Sequence, residues 1–287
     1  MTDEAIGVIG GSGLYGLEEL ENIREERIST PFGDPSDAYI VGELAGRTLV
    51  FLPRHGRGHS ILPSELNYPA NIWGMKKLGV GRIISVAACG SMREDIAPGH
   101  IVVVDQFIDL SKHRRTTFFG DGIVAHTMFA DPICADLAKV VYDAGVAVGA
   151  VMHKGGTYIN MEGPQFSTRA ESNLYRNWGV DVIGMTNAPE AKLAREAEIC
   201  YSTLALSTDY DCWHDAEEDV TIDAVLEVMR ANVAQSKKII AEAVKNMPEE
   251  RTCGCGSALA NCILTDPALI PESTKERMNL IIGKYIE

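Results

Sequence analysis

Cys200-Tyr201-Ser202-Thr203-Leu204-Ala205-Leu206 runs into Thr208-Asp209-Tyr210-Asp211, and the reading of this junction decides the fold. The first seven residues form a short, largely apolar run, as a buried strand does. If it is one, Asp209 and Asp211 emerge on the same side at its carboxyl end, which is where open α/β sheets keep their ligands. A carboxylate there can accept a hydrogen bond from an exocyclic amine, and a carboxylic acid can hand a proton to a ring nitrogen. An aminopurine offers both partners. An isolated D-x-D more often caps the next segment or binds water, so the pair alone does not decide a function.

Strand and helix alternate on both sides of that junction. Residues 5–9 are a β-branched run ending in Gly10-Gly11-Ser12-Gly13, and residues 48–52 end at Pro53-Arg54-His55-Gly56. Residues 82–86 stop at Ala87-Ala88-Cys89-Gly90-Ser91; residues 101–104, 157–161 and 180–183 are also strand-like. Helical patterns cover 70–78 and 132–144. A longer one, 221–247, places Ile222, Val225, Leu226, Met229, Val233, Ile240 and Val244 on one face. The expectation is an α/β fold: a single domain over 1–287 with a mixed central sheet flanked by helices, ending in a C-terminal helical extension over 248–287.

At 287 residues and 46% hydrophobic the chain can bury a full core. No run of eighteen apolar residues occurs, and no basic segment followed by an apolar block opens the sequence, so a cytoplasmic protein without membrane contact is expected. The formal charge of −14 argues against a nucleic-acid partner. Of seven cysteines, Cys89, Cys134, Cys200 and Cys212 sit among apolar neighbours and read as small buried hydrophobes. Cys253-Gly254-Cys255, with Cys262 beyond, reads as a loop in which a disulfide, a redox role or a metal is open. The paired C-x-x-C spacing of structural zinc is missing, and no residue is assigned to a metal.

Gly11-Ser12-Gly13-Leu14-Tyr15-Gly16 fits a dinucleotide fingerprint, but a second strand ending in an acid is lacking where Ser29-Thr30-Pro31-Phe32-Gly33 has turn chemistry. A turn cradling one phosphate is preferred. Arg54 and His55 at a strand end suit the same anion. Two glycines between His55 and His59 make a zinc-binding helix improbable. Phe166 can stack on a flat heterocycle with Ser167 at its edge, and Met185 beside Thr186 suits a sugar next to a phosphate.

These segments occur together and in order. With Thr30-Pro31-Phe32-Gly33, Asn67-Tyr68-Pro69-Ala70-Asn71-Ile72-Trp73, Met161-Glu162-Gly163-Pro164 and Thr208-Asp209-Tyr210-Asp211-Cys212-Trp213, the chain resembles the trimeric purine nucleoside phosphorylase family, in its S-methyl-5′-thioadenosine phosphorylase branch, over about residues 5–246. The resemblance implies reversible phosphorolysis of S-methyl-5′-thioadenosine to adenine and 5-methylthioribose 1-phosphate, without a cofactor and with inorganic phosphate as co-substrate. It implies that Ser12, Arg54, His55 and Thr186 hold phosphate with main-chain help at Ala87 and Ala88. Phe166, Ser167, Asp209, Tyr210 and Asp211 are then expected around adenine, with Asp209 and Asp211 catalytic, and Met185 along the ribose. Ile222, Val225 and Leu226 fall on the methylthio pocket, and His126 reaches across a subunit interface toward the 5′ end in a homotrimer or a dimer of trimers. Ala87 stands where many members have a threonine, so one phosphate hydrogen bond is missing. The tail from Arg251, with its Cys-Gly-Cys, resembles thermophilic members in which such cysteines are oxidised. The alternative is a broader phosphorylase acting on adenosine or on a 6-oxopurine nucleoside such as methylthioinosine. A nucleosidase leaves the anion loop unexplained, and an oxidoreductase rests on the glycine fingerprint alone.

Overall fold

Apolar runs become the central strands of one mixed sheet, and the run over 82–86 continues through the small residues 87–91, where a stop was expected. The computed structural model describes residues 4–11, 14, 16–214 and 222–286, the side chains of 222–226 excepted. Its strands are β1 (Ala5–Gly10), β2 (Glu21–Glu26), β3 (Tyr39–Leu44), β4 (Arg47–Pro53), β5 (Val80–Ser91), β6 (Ile101–Val103), β7 (Gln106–Asp109), β8 (Met152–Lys154), β9 (Thr157–Asn160), β10 (Val182–Gly184) and β11 (Cys200–Asp209). The helices are α1 (Tyr68–Lys77), α2 (Ala135–Ala147), α3 (Arg169–Asn177), α4 (Asn187–Glu196), α5 (Ile222–Lys245) and α6 (Glu272–Ile286).

The strand order is β2-β3-β4-β1-β5-β10-β9-β7, with β11 also on β5 and β6 bridging β11 to β8. β5 is the hub, because β1 and β11 pair parallel to it while β10 joins its last residues antiparallel. Its neighbours β4, β1 and β11 therefore end at the same edge as β5 itself. β2 pairs antiparallel with β3 at the sheet's rim. Among the described residues no helix lies between β1 and β2, and β2 pairs with β3 rather than joining the sheet beside β1, so the βαβ unit of a dinucleotide fold is not formed.

Alternation along the central strands sends side chains to two apolar layers. Val50, Ile83, Tyr201 and Ala205 face one layer with α1, α4 and α6, through Ile72, Leu193 and Met278. Leu49, Ile84, Leu204 and Leu206 face the other with α2 and α5, through Val141, Ile240 and Val244. Such two-sided burial is why these strands read as continuous apolar runs. Each fully buried Ile or Leu contributes about 1.5–3 kcal/mol, which holds the strand ends in register. The predicted extension is real helix in part: α6 packs on the first layer through Ile281 and Ile282. Among the described residues no helix is long and apolar enough to cross a membrane.

Candidate active site

β5 runs along a cavity of about 460 Å³, to which it contributes Val86, Ala87, Ala88 and Gly90. The ends of β1, β4, β10 and β11 bring Gly11, Arg54, Met185 and Asp209 to the same space.

The chain leaves β4 through Arg54, whose backbone N–H still bonds the Gly10 carbonyl at 2.8 Å, and turns at Gly56, where φ is +69°. Only a residue without a Cβ takes that conformation cheaply. The Arg54 side chain is buried, and its guanidinium bonds both oxygens of Glu190, the Ser85 hydroxyl (2.7 Å) and the Val86 carbonyl (3.1 Å). Burial opposes the charge, and the Glu190 carboxylate outweighs it, so the guanidinium pKa is raised. Of five guanidinium hydrogens, one on Nη1 stays without an acceptor among the described residues. The expected arginine fork is therefore given to Glu190, and an anion meets one N–H.

His55 shares its Nδ1 hydrogen with the Ile61 carbonyl (2.8 Å) and stacks on His59, ring centroids 4.3 Å apart. Burial first, and the neighbouring Arg54 charge second, lower its pKa to about 4. At neutral pH the free Nε2 is thus an acceptor, and it becomes a donor only by taking up a proton when an anion arrives. Sulfate, which keeps its charge through mild acid, is accordingly expected to bind up to about tenfold more tightly per unit fall in pH, with uptake of one proton. Calorimetry in buffers of different ionisation enthalpy reads this; the slope should vanish in His55→Gln, and a flat profile in the unaltered protein excludes it. Thr186 caps α4 without a side-chain capping bond and lies in the cavity wall, so the positive end of that helix also faces the anion position.

At the far end, β11 stops at Asp209, and Asp211 follows in a tight turn with φ of +55°. Strand alternation does not align the pair, as expected from sequence; the turn does. Each Asp209 oxygen accepts one bond, from the Asp211 N–H (2.8 Å) and the Thr208 hydroxyl (2.7 Å). One Asp211 oxygen accepts from Ser167 (2.7 Å), and the other has no partner among the described residues. Trp213 anchors the turn by donating to the Ser91 carbonyl at 2.7 Å. A Cβ at Gly90 would lie 3.1 Å from Asp209 and 3.3 Å from Asp211, so glycine permits both acids to sit against β5. Phe166 lines the same end and is 82% exposed, leaving its ring open for stacking.

Arg54, His55, Ala87, Ala88, Thr186, Phe166, Met185, Asp209 and Asp211 thus share one cavity, and Ser167 joins it through Asp211. Tyr210 does not: its hydroxyl donates to the Glu94 carbonyl (3.0 Å) and its ring stacks on His214, away from the cavity. His126 is exposed and outside the cavity of its own chain. Ser12 and the side chains of Ile222, Val225 and Leu226 lie outside the described residues. Met229 and Val233, further along α5, do line the cavity, with Asn232, which donates to the Ser207 carbonyl at 3.0 Å. Sequence reasoning missed Glu190, an acid in a first helical turn. It also missed Arg114, a fully buried side chain that bonds the carbonyls of Met161, Glu162 and Met185 and so fixes the loop before Phe166.

The sheet topology and the strand-end cavity are those of a nucleoside-type phosphorylase: the phosphorylase superfamily profile matches residues 5–245, and the chain belongs to that superfamily. Within it the chain falls among the S-methyl-5′-thioadenosine phosphorylases. The enzyme of that name from Geobacter sulfurreducens is 62% identical over 285 residues, covering 99% of this chain and 100% of the relative. A methylthioadenosine phosphorylase from an Antarctic soil metagenomic library superposes with a TM-score of 0.94 at 45% identity, over 98% of this chain and 99% of the other. The Schistosoma mansoni methylthioadenosine phosphorylase in complex with adenine gives 0.81 at 34% identity, over 98% of each chain.

Proposed function

We propose that the protein catalyses reversible phosphorolysis of S-methyl-5′-thioadenosine, giving adenine and 5-methylthioribose 1-phosphate. One observation carries the reading: the anion-holding and base-holding groups open into a single cavity along β5. Val86 bonds Arg54 and Gly90 abuts Asp209; four strand residues span about 13 Å, the reach of a nucleoside with a phosphate beneath it. The volume of about 460 Å³ falls in the range of small-ligand sites.

Cleaving the N-glycosidic bond builds positive charge on the ribose and negative charge on the departing base. Phosphate, held by the free Arg54 N–H, by His55, by Thr186 and the start of α4, and by main chain at Ala87 and Ala88, lies under the sugar and attacks C1′. Ser12 is assigned to the same anion. Phe166 stacks on adenine, Asp209 accepts from its 6-amino group, and Asp211 shares or donates a proton at N7 as the C1′–N9 bond breaks. Met185 lies along the ribose. The 5′-methylthio group meets α5, where Met229 and Val233 continue the face that carries Ile222, Val225 and Leu226. An apolar wall suits a thioether better than a hydroxyl, favouring methylthioadenosine over adenosine.

No step needs a cofactor. His126 sits on an exposed segment between Val124 and Met128, themselves 50% and 80% exposed, which supports a homotrimer in which it completes a neighbour's 5′ pocket. Release of adenine from methylthioadenosine should require phosphate absolutely, and replacing the 5′-methylthio group by hydroxyl should lower kcat/KM by about tenfold or more. Steady-state assays with and without phosphate on both nucleosides, with methylthioinosine as a third substrate, test this. Phosphate-independent release, or preference for the 6-oxo base, rejects it.

A further inference from the structure

Four cysteines meet at the amino end of β11, opposite the end that carries Asp209. The Sγ atoms of Cys134, Cys200, Cys253 and Cys255 all lie within 4.8 Å of one another, and those of Cys200 and Cys253 are 3.3 Å apart. All four are free thiols. They come from three parts of the fold: Cys134 caps α2, Cys200 opens β11, and Cys253 caps the short helical turn after α5 that contains Cys255. Cys262, the expected companion of the Cys-Gly-Cys, instead donates to the Ala258 carbonyl.

A tetrahedral four-thiolate shell with metal–sulfur bonds of about 2.3 Å has sulfur–sulfur edges of about 3.8 Å, within the spread seen here. A cavity of about 30 Å³ lies against Cys134, Cys200 and Cys253, enough for an ion and too little for an organic ligand. Arg82 and Arg251 line the same cavity. Arg82 is buried, and its Nη1 has no hydrogen-bond partner among the described residues; the closest ion-pair oxygen, on Glu4, is 3.8 Å away. Arg251 bonds the same Glu4 carboxylate at 2.6 Å. Asp136, on the same wall, is engaged by the Thr252 hydroxyl at 2.9 Å. Glu4, with Asp136 and Glu250 on the cavity wall, offsets the charge of the two guanidiniums, whose N–H groups are suitable donors to metal-bound thiolates.

We propose that Cys134, Cys200, Cys253 and Cys255 bind one thiophilic divalent cation, zinc or iron(II), in a closed tetrahedral site that fastens the C-terminal segment to the core. On binding, four S–H bonds break, four protons pass to solvent and four metal–sulfur bonds form, with no electron transferred. The resulting shell carries a net charge of about −2, which N–H donation from the two arginines moderates. With every position filled by protein, the ion has no open site for substrate and its role is structural. β11 separates it from the active site by about 30 Å, so its loss should act on stability and spare chemistry.

The test uses the full chain purified under reducing conditions without chelator. Elemental analysis should find about one equivalent of zinc plus iron per chain, and cobalt(II) exchanged into the site should show thiolate charge-transfer and tetrahedral d–d bands. Cys253→Ser and Cys255→Ser should fall below about a tenth of an equivalent, while Cys262→Ser keeps the metal. Removing the metal from the unaltered protein with a mercurial and a chelator should lower the melting temperature and leave kcat at 25 °C within about twofold. Under a tenth of an equivalent in the unaltered protein overturns the proposal, whether its thiols are then all free or its intact mass shows the loss of four hydrogens to two disulfides. Metal retained in both Cys253→Ser and Cys255→Ser places the ion elsewhere and overturns it too.

Discussion

Asp211→Asn should lower kcat for methylthioadenosine phosphorolysis by about 10²–10⁴-fold while phosphate affinity changes less than about twofold. The amide preserves the size of the side chain and can still accept from Ser167, which in the native protein donates to one Asp211 oxygen at 2.7 Å. What it lacks is a proton to give to N7 when the glycosidic bond breaks. Asp209→Asn is expected to behave differently. Asp209 already accepts from the Asp211 N–H and from Thr208, so its loss weakens the grip on the 6-amino group by about 1.5–3 kcal/mol, felt in KM as well as kcat. A nucleoside whose base leaves readily without protonation should restore much of the Asp211→Asn rate and little of the Asp209→Asn rate. Unchanged turnover in Asp211→Asn, or equal rescue of both variants, rejects the assignment of the proton to Asp211.

The strand ends were legible because physics marks them in sequence. A strand buried on both faces is mostly apolar, and β1, β4 and β11 end close to the small or polar residues that mark a stop, whereas β5 continues through Ala87–Ser91 and buries Arg82 and Ser85, and β11 buries Ser202 and Thr203. The residues immediately after those stops could be named as site residues for the same reason. What was illegible depends on contacts between distant elements. Glu190 looks like any acid in a first helical turn, where the helix dipole alone rationalises it; its pairing with Arg54 exists only once α4 lies against β11 and β5. Arg114 has no periodic context, yet it fixes Met185 and the loop before Phe166. Asp211 reaches the cavity through a positive φ in a tight turn, which alternation along a strand does not encode. The cysteine cluster escaped because ligand-spacing rules read neighbours along the chain, and Cys134 and Cys200 meet Cys253 through the fold.

Glu190→Ala is expected to destabilise the protein by about 3–5 kcal/mol, a fall in melting temperature on the order of 10 °C, and to abolish phosphorolysis. The Arg54 guanidinium is buried and charged, and Glu190 supplies the compensating carboxylate and two of its hydrogen bonds. Ser85 and Tyr201 donate to the same carboxylate at 2.9 Å each, so the deletion strands three donors at once. The pair as such need not stabilise the fold, because the desolvation of two ions consumes most of their attraction. Arg54→Met combined with Glu190→Leu should therefore melt well above Glu190→Ala while remaining inactive, and a double-mutant cycle in melting temperature and turnover separates the two quantities. Such an outcome would identify the pair as a device for placing one guanidinium N–H under the ribose, kept at a cost in stability for the sake of the anion. If the double variant melts no higher than Glu190→Ala, the ion pair is a stabilising element in its own right, and the argument that Glu190 serves catalysis by positioning Arg54 loses its support.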